Sequence, residues 1–321
     1  MLNVEELRVR YAGQSHEAVS GVSFDVPQGA FVGLVGESGS GKTSVVMAAL
    51  GLLPAGGVAT GAIIFAGQNL LALDEESLRR LRWKKIALVP QGAQNSFTPV
   101  KTIGAHIEEV LRVHLRLRGG AAKARVAALL TEAELDAAVA RRYPHELSGG
   151  QKQRAAIALA LACEPSLLLA DEPTTALDVT VQAQILELMK DLQKKWNTAI
   201  ILITHDLGVI AGMADRVAVM YSGHVVEEGT RRHIFYHPAH PYTQGLLKSV
   251  PNPDNLTKER LIPIKGQPPD LLNPPKGCPY ALRCPKAMRI CLQYPPETQF
   301  VEEGHSAACW LQHAPHGGDA R

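Results

Sequence analysis

Gly36–Thr43 reads GESGSGKT and fits the pattern G-x-x-x-x-G-K-[ST]. Glycines at these positions let the backbone wrap an anion closely. The amide groups from Gly39 to Ser44 can then point inward at a phosphate. In this reading Gly36, Ser38, Gly39, Ser40, Gly41 and Ser44 build the cradle. Lys42 reaches the outer phosphates of a nucleoside triphosphate, and Thr43 offers its hydroxyl to Mg2+. A second chemical element is LLLADE, in which four apolar residues precede Asp171 and Glu172. Open α/β sheets bind ligands at the C-terminal ends of their strands, where these two carboxylates emerge. Asp171 is placed to hold Mg2+, and Glu172 to accept a proton from an attacking water. A third element is the set Cys278, Cys284, Cys291 and Cys309, spaced C-x5-C-x6-C-x17-C. Four thiolates around a compact loop could bind a metal or a cluster, and the pattern alone also leaves free thiols or disulfides open. The spacing lacks the short C-x2-C of most zinc ribbons.

These residues need elements to position them. FVGLVG (Phe31–Gly36) is a buried-strand type of run ending in Gly, and a helix is expected from Lys42 to near Pro54. Residues 1–35 read as short alternating strands, and Gly61–Gly67 and Lys85–Gln91 as further strands. From about Thr98 to Glu164 the apolar pattern is helical. SLLLADEP (Ser166–Pro173) and TAIILITHD are buried strands separated by the amphipathic run VTVQAQILELMKDLQKK. Buried strands alternating with helices predict an α/β fold with a largely parallel sheet, interrupted by a helical insertion between about 93 and 165. After His237 the texture changes: fourteen of the 21 prolines lie from Pro238 onward, which predicts a loop-rich appendage. No internal repeat is visible.

The 321 residues correspond to roughly two domains, or one with appendages. A net charge of +2 and 5% aromatic residues argue against a dedicated nucleic-acid binder or a base-stacking platform. The longest apolar runs, Val45–Leu53 and Ala155–Cys163, have nine residues each, about half of what a spanning helix needs. The N-terminus carries acids and no apolar signal-peptide core, so a cytoplasmic start is expected. Cys163 ends an alanine-rich helix and reads as core packing. The irregular spacing of His233, His237, His240, His305, His313 and His316 reads as exposed loop residues.

Further motifs fall in order around these elements. LSGGQKQR (Leu147–Arg154) precedes the Asp171–Glu172 strand, ALD (Ala176–Asp178) follows it, ITHD places His205 at the end of the next strand, and Gln91 ends an earlier one. Over about residues 1–235 the sequence closely resembles an ABC-type ATP-binding cassette. The resemblance implies a P-loop fold: a RecA-like core with an antiparallel β subdomain and a helical subdomain. It implies two cassettes paired head to tail, with Ser148, Gly149, Gly150 and Gln151 of one facing the γ-phosphate held by the other. A serine hydroxyl and glycine amides at a helix N-terminus suit an anion, and Ser148 also suits a helix cap. The resemblance further gives His205 a hydrogen bond to the γ-phosphate, Asp178 a role across the dimer interface, and Tyr11 a stack on adenine. Gln91 would sense Mg2+ or the attacking water and couple it to a transmembrane partner. Relatives usually continue this Gln with an acidic residue and Pro, whereas this chain reads QGAQNSFTPV.

The tail has its own resemblance. HPAHPYTQGLLKSVPNP, then GQPPDLLNPPKGCPYALRCPKAMRIC and HSAACW, looks like the C-terminal extension of oligopeptide/dipeptide/nickel importer ATPases over about residues 236–312. In that family the four cysteines imply a structural [4Fe–4S] cluster, with Zn2+ as runner-up. The implied protein is a peripheral ATPase subunit at the cytoplasmic face of the membrane, importing di- or oligopeptides. Its implied partners are a second cassette, homologous or identical, two permease subunits and, indirectly, an extracytoplasmic solute-binding protein. Nickel chelates or oligosaccharides are alternative solutes. A soluble ABC ATPase acting on nucleic acid or ribosomes is the rival. It would carry tandem cassettes, a long coiled-coil insertion or a basic surplus; this chain has one phosphate loop and about 100 residues from Lys42 to Ser148.

Overall fold

The structure is a computed structural model and describes residues 1–92, 96–175, 177–249, 263–270 and 274–313. Ala176, His316, residues 93–95 and the proline-rich stretch 250–262 fall outside these ranges. In chain order the strands are β1 (Leu2–Arg10), β2 (Val19–Val26), β3 (Phe31–Val35), β4 (Val58–Phe65), β5 (Gln68–Asn69) and β6 (Ile86–Val89). They continue with β7 (Leu167–Asp171), β8 (Ala199–Thr204), β9 (Arg216–Tyr221), β10 (His224–Thr230), β11 (Thr298–Glu302) and β12 (His305–Ala308). Two sheets result: an antiparallel one in the order β2-β1-β4-β5, and a large mixed one in the order β11-β12-β10-β9-β3-β8-β7-β6.

The centre of the large sheet is parallel, with β3 between β8 and β9 and β7 between β8 and β6. Its strands are apolar on both faces because both faces are covered. Alternate residues serve opposite sides. Val32, Leu34, Leu167, Leu169, Ile201 and Ile203 pack with the antiparallel sheet and with Val45 and Val46 of the helix Lys42–Ala49. Phe31, Val35, Leu168, Ala170, Ile200 and Leu202 pack with the helical layer on the other side. Each fully buried Leu or Ile in these layers contributes about 1.5–3 kcal/mol of transfer free energy. Gly33 has no room for a side chain: a Cβ there would meet Ile210 Cδ1 at 2.7 Å, so the helix Leu207–Met213 rests directly on β3.

The expected helical insertion comprises Ile103–Leu115, Gly119–Glu132 and Gly149–Ala160, joined by short 3-10 turns. The helix after the phosphate loop ends at Ala49, earlier than Pro54, because the chain turns at Gly51 with φ +62°. The helix Glu75–Leu81, capped by Asp74, has only one buried residue, Leu78, and so left little apolar periodicity to read. The C-terminal appendage is rich in loops, yet it also supplies two strands of the central sheet. β12 pairs antiparallel with β10, Glu227 opposite Ala307 and Glu228 opposite Ser306. Its HSAA sequence carries no large apolar residue, so pairing rather than hydrophobic pattern defines it.

Candidate active site

β3 ends at Val35 and the helix begins at Lys42, so the phosphate loop is the turn between a core strand and a helix N-terminus. Gly39 and Gly41 take φ of +79° and +99°, a region that glycine enters without strain. A Cβ on Gly41 would also meet the Ala18 carbonyl oxygen at 2.5 Å. Lys42 is buried at 6% exposure. Its Nζ donates to the carbonyls of Gly36 and Glu37, both at 2.8 Å, and to Ser40 Oγ at 3.2 Å. Burial pushes its ammonium down to about 8, against the pull of Glu172, Asp171 and Glu37. Thr43 Oγ1 donates to Asp171 Oδ2 at 2.8 Å. Burial raises the Asp171 carboxyl above its usual range, opposed by the Thr43 hydroxyl.

Glu172 follows β7 with φ +46°, a left-handed conformation that non-glycine residues rarely adopt. The turn brings its carboxylate over the loop. Oε2 accepts from Gln91 Nε2 at 2.9 Å and from Thr175 Oγ1 at 3.0 Å, while His205 Nδ1 donates to Oε1 at 3.0 Å. Burial opposes the charge, but the His205 and Thr175 hydrogen bonds outweigh it and hold the carboxyl below its ordinary value. Glu172 is therefore an ionised acceptor at neutral pH. The cleft holds about 310 Å³ and is lined by residues including Tyr11, Ser38–Ser44, Gln91 and Glu172. Tyr11 shares a 2.8 Å hydroxyl–hydroxyl hydrogen bond with Ser44. Gln14, His16 and Thr175 also belong here and carried no sequence signal: two reach the cleft from a loop, and Thr175 is one polar residue in a turn.

The LSGGQ segment is not among the residues lining this cleft. Ser148 caps the helix Gly149–Ala160: Gln151 N–H donates to its Oγ at 3.3 Å, and Ser148 N–H donates back to Gln151 Oε1 at 3.0 Å. A Cβ on Gly150 would meet Val181 Cγ1 at 2.8 Å. Asp178 caps the helix Val179–Trp196 through the Val181 N–H at 2.9 Å. Ser148 and Asp178 are exposed.

Residues 19–175 match the ABC transporter family, and residues 226–291 match the oligopeptide/dipeptide transporter C-terminal region. The dipeptide transport ATP-binding protein DppD of Bacillus subtilis (strain 168) is 46% identical, over 100% of this chain and 99% of that protein. The chain belongs to the oligopeptide/dipeptide transport ATP-binding proteins. The oligopeptide transport ATP-binding protein OppD of Escherichia coli (strain K12) is 45% identical over 97% of this chain and 93% of its own length. Among solved structures, a dimeric ATP-binding cassette in a post-hydrolysis state bound to ADP and Pi is 30% identical with a TM-score of 0.64, covering 72% of this chain and 99% of its own. The C-terminal part of this peptide-transport ATPase, beyond the cassette match, carries Cys278, Cys284, Cys291 and Cys309. Among the described residues, no helix is long and apolar enough to cross a membrane.

None of the five cysteines is paired in a disulfide. Cys163 is buried as expected, although it sits in the turn after the helix Gly149–Ala160 rather than at the helix end. Cys278, Cys291 and Cys309 are buried and Cys284 is half-buried. The sulfurs of Cys284 and Cys291 each accept a backbone N–H at 3.4 Å, from Lys286 and Met288. Burial pushes the Cys278 thiol up to about 11, and its three partner sulfurs add to the shift. Cys284 and Cys309 are raised for the same two reasons.

Of the described tail histidines only His237 has the expected exposure: His233 and His313 are half-buried, and His240 and His305 are each 1% exposed. The pairing of β12 with β10, which no local spacing announces, carries His305 inward. Glu227 accounts for it: its carboxylate accepts from Ala239 N–H at 2.7 Å, His240 N–H at 2.9 Å and His305 Nε2 at 2.8 Å. Burial pushes the His240 imidazole down to about 4, so it is neutral and accepts from Tyr242 N–H at 3.0 Å. His233 Nε2, Glu302 Oε1 and His305 Nδ1 lie within 4.8 Å of one another. The Thr230 N–H is directed at His233 Nδ1, which leaves Nε2 as the donor toward Glu302. Glu302 Oε1 lies 3.5 Å from His233 Nε2 and 3.7 Å from His305 Nδ1, and with Nε2 of His305 turned to Glu227 its buried Nδ1 has no hydrogen-bond partner among the described residues.

Proposed function

We propose that this chain is the ATP-hydrolysing subunit of an importer for dipeptides or oligopeptides. The observation that carries the reading is the Glu172 carboxylate, held by Gln91, Thr175 and His205 beside the phosphate loop. Amides of Gly39–Ser44 and the Lys42 ammonium bind the β and γ phosphates of ATP, and Tyr11 stacks on the adenine. Thr43 and Asp171, already hydrogen-bonded, are the residues that would hold Mg2+, with Gln91 near them. An ion held there would supply positive charge beside the phosphates. Glu172 accepts the proton of the attacking water, and His205 fixes the γ-phosphate from the other side of the carboxylate.

Exposed Ser148 and Asp178, with the half-buried Gly149, Gly150 and Gln151, complete the site of a second cassette, homologous or identical, in a head-to-tail dimer. Closure on two ATP pulls on two permease subunits through the region around Gln91, and hydrolysis reopens the pair. The chain sits at the cytoplasmic face, and an extracytoplasmic solute-binding protein delivers the peptide. Full-length likeness to peptide-transport ATP-binding proteins supports the solute class. Ser148→Ala is expected to slow hydrolysis by the paired cassettes about tenfold, the loss of one hydrogen bond to a charged group. Nucleotide affinity of the isolated chain should stay within about twofold. Weaker monomer binding with normal turnover would contradict cross-dimer action.

The cysteine module is read as the seat of a [4Fe–4S] cluster. Four buried or half-buried thiols in one module, two of them accepting a backbone N–H, fit a group that takes four thiolates and hydrogen bonds to sulfur. Zinc held by the same four thiolates is the alternative. Anaerobically purified protein is expected to be brown and to yield about four irons and four sulfides per chain. Zinc alone at about one per chain would reject the cluster.

A further inference from the structure

Glu37 is the second residue of the phosphate loop, and the chemistry above leaves it unused. Both its ends are held by the C-terminal extension. Its backbone N–H donates to Tyr242 Oη at 3.0 Å. Its carboxylate receives the Arg283 fork, Nη1 at 2.7 Å on Oε2 and Nη2 at 3.1 Å on Oε1. The Arg283 side chain is 7% exposed. Arg283 Nε donates to the Lys265 carbonyl at 3.1 Å, and Nη1 also donates to Tyr221 Oη at 3.2 Å. The guanidinium lies 5.7 Å from the Tyr221 ring centre. Tyr221, Tyr242 and Tyr280 pack together with ring centres 4.6–5.3 Å apart. A bidentate, nearly buried pair of this kind has little freedom, unlike an exposed ion pair.

Arg283 lies in the turn between Cys278 and Cys284, where its N–H donates to the Tyr280 carbonyl at 3.0 Å. The grip therefore links the cysteine module to a loop 246 residues earlier in the chain. It has two physical effects at the loop. The Glu37 carbonyl is one of the anchors of Lys42 Nζ, so fixing Glu37 fixes the lysine. The Arg283 charge also offsets a carboxylate that would otherwise repel phosphate. We propose that Arg283 is a positioning residue for the phosphate loop: through Glu37 it sets the loop's affinity for nucleotide, and so gives the four-cysteine extension a hold on the ATP site. The inference rests on the nucleotide reading proposed above.

Full-length protein is titrated with the fluorescent analogue mant-ATP and assayed for steady-state hydrolysis. Arg283→Gln is expected to raise both Kd and KM about tenfold, because a loosened loop is binding-competent only part of the time. Turnover at saturating ATP should stay within about twofold. In a Glu37→Gln background the same Arg283 change should shift Kd less than about twofold, since the two residues act through one contact. Arg283→Lys should recover only part of the affinity, restoring charge without the fork. Unchanged Kd in a folded Arg283→Gln protein, or a fall in turnover with KM unchanged, overturns the positioning role. So does an equal shift in both backgrounds. If Arg283→Gln does not fold, Arg283→Lys and Tyr242→Phe decide: weaker mant-ATP binding supports the inference and wild-type binding overturns it. Wild-type protein that binds no mant-ATP would overturn the nucleotide reading and this inference together. Wild-type binding with an unaffected variant would overturn this inference alone.

Discussion

Glu172→Gln is expected to lower steady-state ATP hydrolysis by at least about 10²-fold while nucleotide affinity stays within about threefold of wild type. The reason lies in how the carboxylate is held. Its Oε2 faces two donors, Gln91 Nε2 and Thr175 Oγ1, and its Oε1 faces His205 Nδ1. A glutamine can keep its oxygen toward Gln91 and Thr175 and offer its nitrogen to His205 in the other tautomer. The shape and the cleft survive, and what is lost is the ability to take a proton. Phosphate release, measured beside mant-ATP binding on the same preparation, separates the two. Hydrolysis near the wild-type rate would remove Glu172 from the role of base.

Lys42→Ala is expected to weaken ATP binding by about 10²-fold or more, the cost of losing a charge-assisted contact in a poorly solvated site. Lys42 is a buried cation surrounded by Glu37, Asp171 and Glu172. Without it Asp171 and Glu172 face an incoming polyphosphate with no lysine between them, while Arg283 still neutralises only Glu37. The change also frees the Gly36 and Glu37 carbonyls that now accept from Nζ. The space left by the lysine side chain adjoins the cleft, so water can enter to satisfy them and the fold should persist. Calorimetric titration with ATP, with circular dichroism as the fold control, measures the effect. Affinity within threefold of wild type would show that Lys42 does not touch the phosphates.

Much of this was legible in the chain because it is local. A glycine-rich turn between a buried strand and a helix needs only consecutive residues, and GESGSGKT provides them. LLLADE carries its own strand and its own carboxylates. The Ser148 cap could be read from S-G-G-Q alone, since a capping box is a contact between residues three apart. What sequence could not give depends on distant partners. His240 and His305 look like loop histidines until β12 pairs with β10 and Glu227 gathers them. Glu37 looks like filler in a loop motif until Arg283 reaches it from the cysteine turn. Thr175 lies in an unremarkable Thr-Thr pair, and only the left-handed turn at Glu172 brings its hydroxyl to the carboxylate.

Chemistry at Glu172 and work across a membrane are tied together by peptide uptake. Membrane complex purified through this chain is placed in vesicles, ATP is supplied on the side that bears the chain, and a radiolabelled di- or oligopeptide is followed. Accumulation of peptide that requires ATP and disappears in the Glu172→Gln complex is the predicted result. ATP hydrolysis without transport of any peptide, or peptide uptake that persists in the Glu172→Gln complex, would contradict it.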